Sequence, residues 1–255
     1  MRSLRAAALL AATLLLAACT AGTAATATPP ATASAAPSAA PSSASASSAS
    51  AAPSSAASAP SASSSSAAAG APDLSKCPTS QPPAMATTDS KLVTIDTSKG
   101  QIVIKVEGKL SPIAAGNFVA LADCGYYTGV VFHRLVPGFV IQGGDGTYGR
   151  EPNVDMANVG TGGPAYTIQD EPVTADYTRG VVAMAKTSQP NSANSQFFIV
   201  LGDLTGQLSK DYQIFGSVTA GMNVVDAIAA MPNSGQPNNQ ALNPVAMDKV
   251  TVSNP

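Results

Sequence analysis

Short runs of alternating apolar and polar residues begin at Lys91 and continue almost to the end of the chain. Residues 92–96 and 101–106 are two such runs, rich in Val and Ile, on either side of the turn-forming segment 97–100. β-Branched residues with period-two alternation favour strands, so this pattern predicts a β-hairpin.

The pattern then becomes helical. Residues 113–123 carry apolar side chains at helical spacing. Ser111 is suited to the N-cap position and Pro112 to the first turn, while Gly125 follows as a C-terminal stop. We therefore predict a helix over 113–123.

Two short apolar runs joined by a Pro-Gly turn lie at the centre of the chain, at residues 132–136 and 139–142. Strand side chains alternate between faces. The predicted faces are Phe132, Arg134 and Val136 on one side of the first strand, His133 and Leu135 on its other side, and Val140 with Gln142 on the second strand.

The rest of the pattern completes a β-rich domain. Residues 143–179 are predicted to form a packed functional loop, because a segment of this length is too long for a structureless connection. Further predicted elements are strands at 166–168, 180–185, 195–201, 213–218 and 248–252, and a helix at 220–231 that ends before Pro232. About eight short strands and two helices predict a mainly β fold: a closed antiparallel β-barrel with helices at its ends.

The first 19 residues have the pattern of an export signal. Arg2 and Arg5 precede an apolar run at 6–18, and small residues lead to Cys19, an arrangement that resembles a bacterial lipobox. This resemblance implies cleavage before Cys19 and a diacylglycerol on its thiol, which would anchor the exported domain to a membrane. The alternative is an ordinary signal peptide with an incidental cysteine.

Residues 20–71 contain Ala, Ser, Thr, Pro and Gly and no charge. Such a segment has almost nothing to bury, so we predict a disordered tether that reaches on the order of 40 Å. The predicted organisation is a signal peptide at 1–18, the anchor cysteine and tether at 19–89, and a folded domain at 90–255.

Charge excludes several classes of function. Beyond the tether there are 11 basic and 15 acidic residues, a formal charge of 11 − 15 = −4, with no basic run. Nucleic acid is therefore a poor candidate partner. His133 is the only histidine, which argues against a transition-metal site and a histidine-based triad.

Residues 132–145 read Phe-His-Arg-x-x-Pro-Gly-Phe-x-x-Gln-Gly-Gly-Asp. This string resembles the signature of the cyclophilin-type peptidyl-prolyl cis-trans isomerases, and residues 195–198 and 208–216 match the family's second and third signatures. The resemblance covers about 91–253. It implies an eight-stranded barrel capped by two helices, and activity on X-Pro bonds of exported proteins. It implies no cofactor, no metal and a monomer that binds proline-containing peptides.

The resemblance also implies roles for individual residues. Arg134 would be the catalytic donor, with Phe139 and Gln142 beside it. The implied substrate-binding residues are Met184, Ala185, Gln196, Phe198, Leu208 and Tyr212.

Two positions depart from the family pattern. The chain has no Trp, and the family's tryptophan at the pocket rim aligns near Gln207. Lys186 replaces the usual Asn. These changes leave open a module that binds proline segments as a chaperone or adaptor with little catalysis. A third class, independent of these two positions, is a structural envelope lipoprotein whose barrel only mediates contacts.

Cys77 and Cys124 remain after Cys19 is assigned to lipid. An even pair in an exported protein favours a disulfide. In the alternative, Cys124 is a small buried residue and Cys77 is free.

Overall fold

The computed structural model describes residues 72–255. The predicted signal segment 1–18, Cys19 and residues 20–71 of the tether lie outside the described residues. Within the described range, no helix is both long and apolar enough to cross a membrane.

The described residues form nine strands and two α-helices. In chain order these are β1 (Ser90–Thr97), β2 (Gly100–Glu107), α1 (Pro112–Asp123), β3 (Val131–Val136), β4 (Val140–Gly143), β5 (Val181–Met184), β6 (Phe197–Val200), β7 (Ile214–Ala220), α2 (Met222–Ala229), β8 (Gln240–Ala246) and β9 (Lys249–Ser253). The predicted strand at 166–168 is reduced to a single bridge between Ile168 and Ala193.

All nine strands join one antiparallel sheet in the order β8-β3-β4-β6-β5-β7-β2-β1-β9. The edge strands β8 and β9 are separated in sequence only by Met247 and Asp248, so the sheet curls until its edges approach each other there. The predicted closed eight-stranded barrel needs correction. Within residues 72–255 there are nine strands, and the hydrogen-bonded ladders stop at β8 and β9, which gives a half-barrel.

Strand β8 was not predicted from the pattern. It contains Asn243 and Pro244 and has the burial of an irregular strand, with only Ala241, Val245 and Ala246 buried. A proline is tolerated in an edge strand because one side of that strand has no ladder to complete.

A β-bulge in β3 changes the predicted faces. Phe132 pairs with Gly143 and Arg134 pairs with Gln142, so His133 has no partner of its own on β4. The extra residue shifts the alternation by one position. Phe132 and Leu135 are both in the main core, and the prediction that Phe132 shares the face of Arg134 was wrong.

The sheet has two apolar faces. The inner face packs against α1, whose Phe118 ring lies 4.5 Å from Phe215 and 5.2 Å from Phe197 between ring centroids. The outer face carries a second cluster that includes Val140, Phe198 and Ile214. The functional side chains described below lie at this second cluster.

Helix α1 is capped from a distant loop. Ser111 occupies the N-cap position but makes no side-chain hydrogen bond there. Instead the Glu171 carboxylate accepts hydrogen bonds from the backbone N–H groups of Ile113 and Ala114, at 2.8 and 2.9 Å. A carboxylate also interacts favourably with the positive end of the helix dipole.

Residues 72–89, which the predicted bounds of the tether include, pack against the domain. Cys77 and Cys124 form a disulfide that ties this segment to the C-terminal end of α1. The Met85 N–H donates to the Pro112 carbonyl at 2.9 Å, and the Met85 side chain packs on the core.

Candidate functional site

A small cavity opens on the outer face of the sheet, with a volume of about 210 Å³. An apolar cavity of roughly 150 Å³ accepts benzene, so this one has room for the five-membered ring of a proline. We call it the ring cavity. It is lined by Arg134, Phe139, Val140, Gln142, Ala185, Lys186, Phe198, Leu208 and Tyr212.

The two central strands place the floor of the ring cavity. Gln142 on β4 is directly paired with Phe198 on β6, and Val140 lies two residues earlier on the same face as Gln142. Phe139 precedes β4, and its carbonyl accepts from the Leu201 N–H at 2.9 Å. The Pro-Gly turn therefore places the Phe139 ring at the edge of the ring cavity.

A loop after β6 supplies the opposite wall. The Tyr212 ring meets Phe198 edge to face, with centroids 5.6 Å apart. Tyr177, from the long loop before β5, fixes this wall: its hydroxyl donates to the Tyr212 carbonyl at 2.9 Å and accepts from the Tyr212 N–H at 3.0 Å.

Arg134 is one of two cationic residues that line the ring cavity, the other being Lys186, and it lies opposite Gln142 in the β3–β4 ladder. Its side chain is half-buried. Burial lowers the pKa of the guanidinium, and the neighbouring Tyr212 opposes that shift. Because a guanidinium remains protonated in proteins, Arg134 presents fixed N–H donors at an apolar surface.

A chain of amides holds Arg134 in place. The Arg134 guanidinium donates to Gln142 Oε1 at 3.5 Å, a long bond, and Gln142 Nε2 donates to Gln196 Oε1 at 3.0 Å. Gln196 Nε2 in turn donates to the carbonyls of Gly160 and Gly162, at 3.0 and 2.9 Å. We call these bonds the amide relay.

The buried carboxylate of Asp145 anchors the far end of the amide relay. It accepts hydrogen bonds from the backbone N–H groups of Gly160 and Gly162, at 2.8 and 2.9 Å. It also accepts from the N–H groups of Thr147 and Tyr148, both at 3.0 Å. The N–H groups of Gly160 and Gly162 are thus bound by Asp145, and their carbonyl groups by Gln196.

Two predicted binding residues lie elsewhere. Met184 does not line the ring cavity: it is fully buried in the inner core, because its neighbours Ala183 and Ala185 take the outer face. Gln196 borders an adjoining groove together with Gln142, and its side chain is almost fully buried in the amide relay.

Sequence reasoning missed Val140 and Tyr177. Val140 had a usable signal, since alternation puts it on the face of Gln142. Tyr177 had none beyond being an aromatic residue in a loop that was predicted to be packed. Lys186, noted only as a departure from the family, both lines the ring cavity and forms an ion pair with Asp170 at 2.6 Å.

The arrangement fits binding and polarisation rather than bond cleavage. It offers a ring-sized apolar recess with a cationic donor beside it. Within residues 72–255, no three His, Cys, Asp or Glu side chains are grouped to hold a metal ion.

Comparisons with known proteins agree with this geometry. The family model described as "Cyclophilin type peptidyl-prolyl cis-trans isomerase/CLD" matches residues 92–252. Peptidyl-prolyl cis-trans isomerase A of Dickeya dadantii is 34% identical over 180 residues, which cover 68% of this chain and 90% of that protein. A peptidyl-prolyl cis-trans isomerase of Acinetobacter baylyi is 38% identical over 176 residues, with 66% and 87% covered.

A solved structure has the same architecture. It is a cyclophilin-type peptidyl-prolyl cis-trans isomerase of Cryptosporidium parvum, 29% identical, with a TM-score of 0.56 over 65% of this chain and 99% of that one. The same protein has been crystallised in the presence of the dipeptide Ala-Pro, and that structure has a TM-score of 0.55. With a family model that spans more than half of its residues, this chain belongs to the cyclophilin-type peptidyl-prolyl cis-trans isomerase family.

Proposed function

We propose that this protein catalyses the cis–trans isomerisation of X-Pro bonds in other polypeptides. The observation that carries the proposal is Arg134, whose guanidinium borders a recess of about 210 Å³ walled by Phe139 and Phe198. A proline ring in that recess would bring its imide bond beside the guanidinium.

The physical task is to stabilise a twisted imide. Rotation about a peptide bond costs about 18–20 kcal/mol because resonance is lost, and X-Pro bonds interconvert in tens of seconds or more. In the twisted state the prolyl nitrogen regains a lone pair. A donor aimed at that nitrogen binds the twisted state better than either planar form, and only such differential binding accelerates the step.

The required stabilisation is modest. Shortening the reaction from tens of seconds to milliseconds takes roughly 5–6 kcal/mol. A charge-assisted donor in a partly dry cavity contributes a large share of that amount. Gln142, held by the amide relay, would keep Arg134 directed at the recess and offer its own amide to the peptide.

We further propose that the clients are exported proteins and that the domain is held outside the cytoplasm by a lipid on Cys19. The basic start, the apolar run and the small residues before Cys19 support this. The Cys77–Cys124 disulfide independently supports export, though not the anchor, since such bonds persist in oxidising compartments. Mass spectrometry of the mature N-terminus tests it: a diacylglyceryl Cys19 is expected, and an unmodified or uncleaved terminus refutes the anchor.

A second candidate is a proline-peptide binder with little turnover. Lys186 favours it, because this cation lines the ring cavity and is held there by an ion pair with Asp170. A site that binds one isomer tightly would hold the peptide without interconverting its cis and trans forms.

Exchange NMR on a peptide with one Ala-Pro bond separates the two candidates. The full-length chain should produce exchange cross-peaks between cis and trans resonances, and Arg134→Ala should reduce that exchange by at least about a hundredfold. Arg134→Lys, which keeps the charge but loses the planar fork, should retain only part of the rate. Peptide binding without exchange in the unmodified protein would favour the binder. Undiminished exchange in Arg134→Ala would refute the mechanism.

A further inference from the structure

Residues 35–61, which lie outside the described residues, repeat one short sequence. Ala-Ala-Pro-Ser occurs at 35–38, 39–42 and 51–54, and Ser-Ala-Pro-Ser follows at 58–61. We call these four copies the tether repeats. Each of them contains an Ala-Pro bond, and none contains a charged, aromatic or branched side chain. The polypeptide that forms the ring cavity therefore also carries several bonds of the kind on which the proposed function acts.

The point from which the preceding chain starts is fixed on the domain. The described residues begin at Pro72, which lies beside Gly125, just beyond the end of α1: a Cβ built on Gly125 would be 3.9 Å from the Pro72 Cβ. A few residues later, the Cys77–Cys124 disulfide ties the chain to the same end of the helix. The distance from this point to the ring cavity is therefore constant, and chain length decides which tether repeats can cover it.

The chain before Pro72 is long enough for tether repeats to reach the ring cavity. Pro41 precedes Pro72 by 31 residues, which span up to about 105 Å when extended. A compact domain the size of residues 72–255 is about 40 Å across, so a path over half of its surface is about 65 Å. For an uncharged chain of 31 residues, the root-mean-square end-to-end distance is about 30 Å. Because that length is comparable to the span, the effective concentration of a repeat at the cavity is on the order of 1 mM.

Charge and size suit the tether repeats to the site. Among the described residues, the charged groups that line the ring cavity are Arg134 and Lys186, and Lys186 also lines the adjoining groove of about 270 Å³. Both are cations, so a basic segment would be repelled, whereas the repeats carry no charge. Gln142 and Ala185 line the ring cavity and the groove alike, so a proline bound in the former places a neighbouring residue in the latter. In every repeat those neighbours are Ala and Ser, whose small side chains need no further pocket.

We propose that the Ala-Pro bonds of the tether repeats are intramolecular substrates of this protein, so that its own tether competes with client peptides for the ring cavity. This inference rests on the proposed function and names a substrate for it. The reaction is a rotation about the imide bond, in which no atom is transferred, so the tether is not consumed. A client has to displace the tether and therefore binds less tightly than it would to a chain whose repeats lack proline.

Exchange NMR on the full-length ¹³C-labelled chain tests turnover of the tether repeats. Their cis and trans proline resonances should exchange at least about tenfold faster than in Arg134→Ala, whose repeats keep the uncatalysed time of tens of seconds or more. A mixture of labelled Arg134→Ala with unlabelled active chain, each at about 0.1 mM, reports only turnover by another molecule. Because that concentration is about tenfold below the effective concentration of a tethered repeat, the catalysed exchange in the mixture should be roughly tenfold slower than in the labelled active chain.

Removal of the repeat prolines tests the competition. The full-length variant combines Pro37→Ala, Pro41→Ala, Pro53→Ala and Pro60→Ala. With an external Ala-Ala-Pro-Ser peptide it should keep the kcat of the unmodified chain and have a KM at least about twofold lower, because KM values are ordinarily 1 mM or less and the competing repeats are present at about 1 mM. The matched control keeps the prolines, should leave KM unchanged, and replaces the four serines that follow them by alanine: Ser38, Ser42, Ser54 and Ser61.

The outcomes separate this inference from the function on which it rests. Repeat exchange no faster than in Arg134→Ala, equal exchange in the mixture and in the labelled active chain, or an unchanged KM in the proline variant would each overturn intramolecular turnover, provided that the external peptide is isomerised. Absence of exchange in the external peptide would instead overturn the proposed function.

Discussion

Gln196 provides the most informative perturbation of the amide relay. Its Nε2 donates to the carbonyls of Gly160 and Gly162, and its Oε1 accepts from Gln142, which in turn accepts from Arg134. Gln196→Leu keeps the approximate size of the side chain and removes every polar atom. Gln142 then loses the group that fixes its orientation, and Arg134 loses its support.

The expected cost follows from the partners that are left behind. Each buried polar group without a partner costs about 1–3 kcal/mol. Gly160, Gly162 and Gln142 are only half-buried and regain some water, so the lower end applies, and Gln196→Leu should destabilise the fold by about 2–3 kcal/mol. A catalytic group displaced by 1 Å loses about a hundredfold in rate, so the catalytic efficiency kcat/KM should fall roughly ten- to a hundredfold.

Gln196→Glu distinguishes positioning from stability. The carboxylate still accepts from Gln142 but no longer donates to the glycine carbonyls. Urea unfolding should therefore show a loss of stability at least as large as for Gln196→Leu. Exchange NMR should show a kcat/KM within about threefold of that of the unmodified protein, a smaller change than the loss of one net hydrogen bond would cause. Gln101→Leu is the matched control, since Gln101 is exposed and makes only a surface bond to Asp96, and it should change stability by less than about 1 kcal/mol.

The relay hypothesis fails if Gln196→Leu keeps full activity. It also fails if both Gln196 variants lose activity only in proportion to their lost stability. Either result would mean that Arg134 is held by its own packing and that the amides serve the fold alone.

Three other predictions concern stability. The Cys77–Cys124 bond closes a sequence separation of 47 residues, so joint replacement by Ser should lower the unfolding free energy by about 4 kcal/mol in urea; equal midpoints with and without reductant in the unmodified protein would contradict this. Tyr177→Phe removes both hydrogen bonds to the Tyr212 backbone and should cost about 1–3 kcal/mol and weaken peptide binding; unchanged affinity in a fluorescence titration would separate Tyr177 from the site. The pKa of His133 is about 4 in the folded state against an ordinary 6.5, so the unfolded chain binds more protons between those values and stability falls as pH drops through that window, by up to about 3 kcal/mol. His133→Gln should flatten this part of the pH profile in urea melts, and a profile that is unchanged in the variant would assign the dependence to other groups.

Local features of the fold could be predicted from the sequence because their causes are local. The first hairpin forms with Thr97 opposite Gly100, as the turn residues indicated. Helix α1 begins at Pro112, directly after Ser111, close to where it was predicted, and Arg134 and Gln142 meet because a short turn joins their strands. The mainly β architecture with two helices also followed from the pattern.

Features that depend on distant partners could not be predicted in this way. The cap of α1 is Glu171, far along the chain, and no periodicity connects it to Ile113. Strand β8 carries few strand-forming residues and exists because β3 offers it a ladder. The bulge at His133 depends on both neighbours of β3, and it reversed the predicted face of Phe132.

The sequence by itself therefore determined which residues could perform the chemistry: an arginine, two phenylalanines and two glutamines in motifs specific enough to indicate a family. Only the tertiary structure decided how those residues are held, since burial and hydrogen-bond partners depend on which distant segments meet. That is why Met184, predicted to bind substrate, lies in the core, and why Tyr177, which was not predicted, supports the wall of the site. It is also why His133, the one histidine of the sequence, is buried beside the bulge in β3.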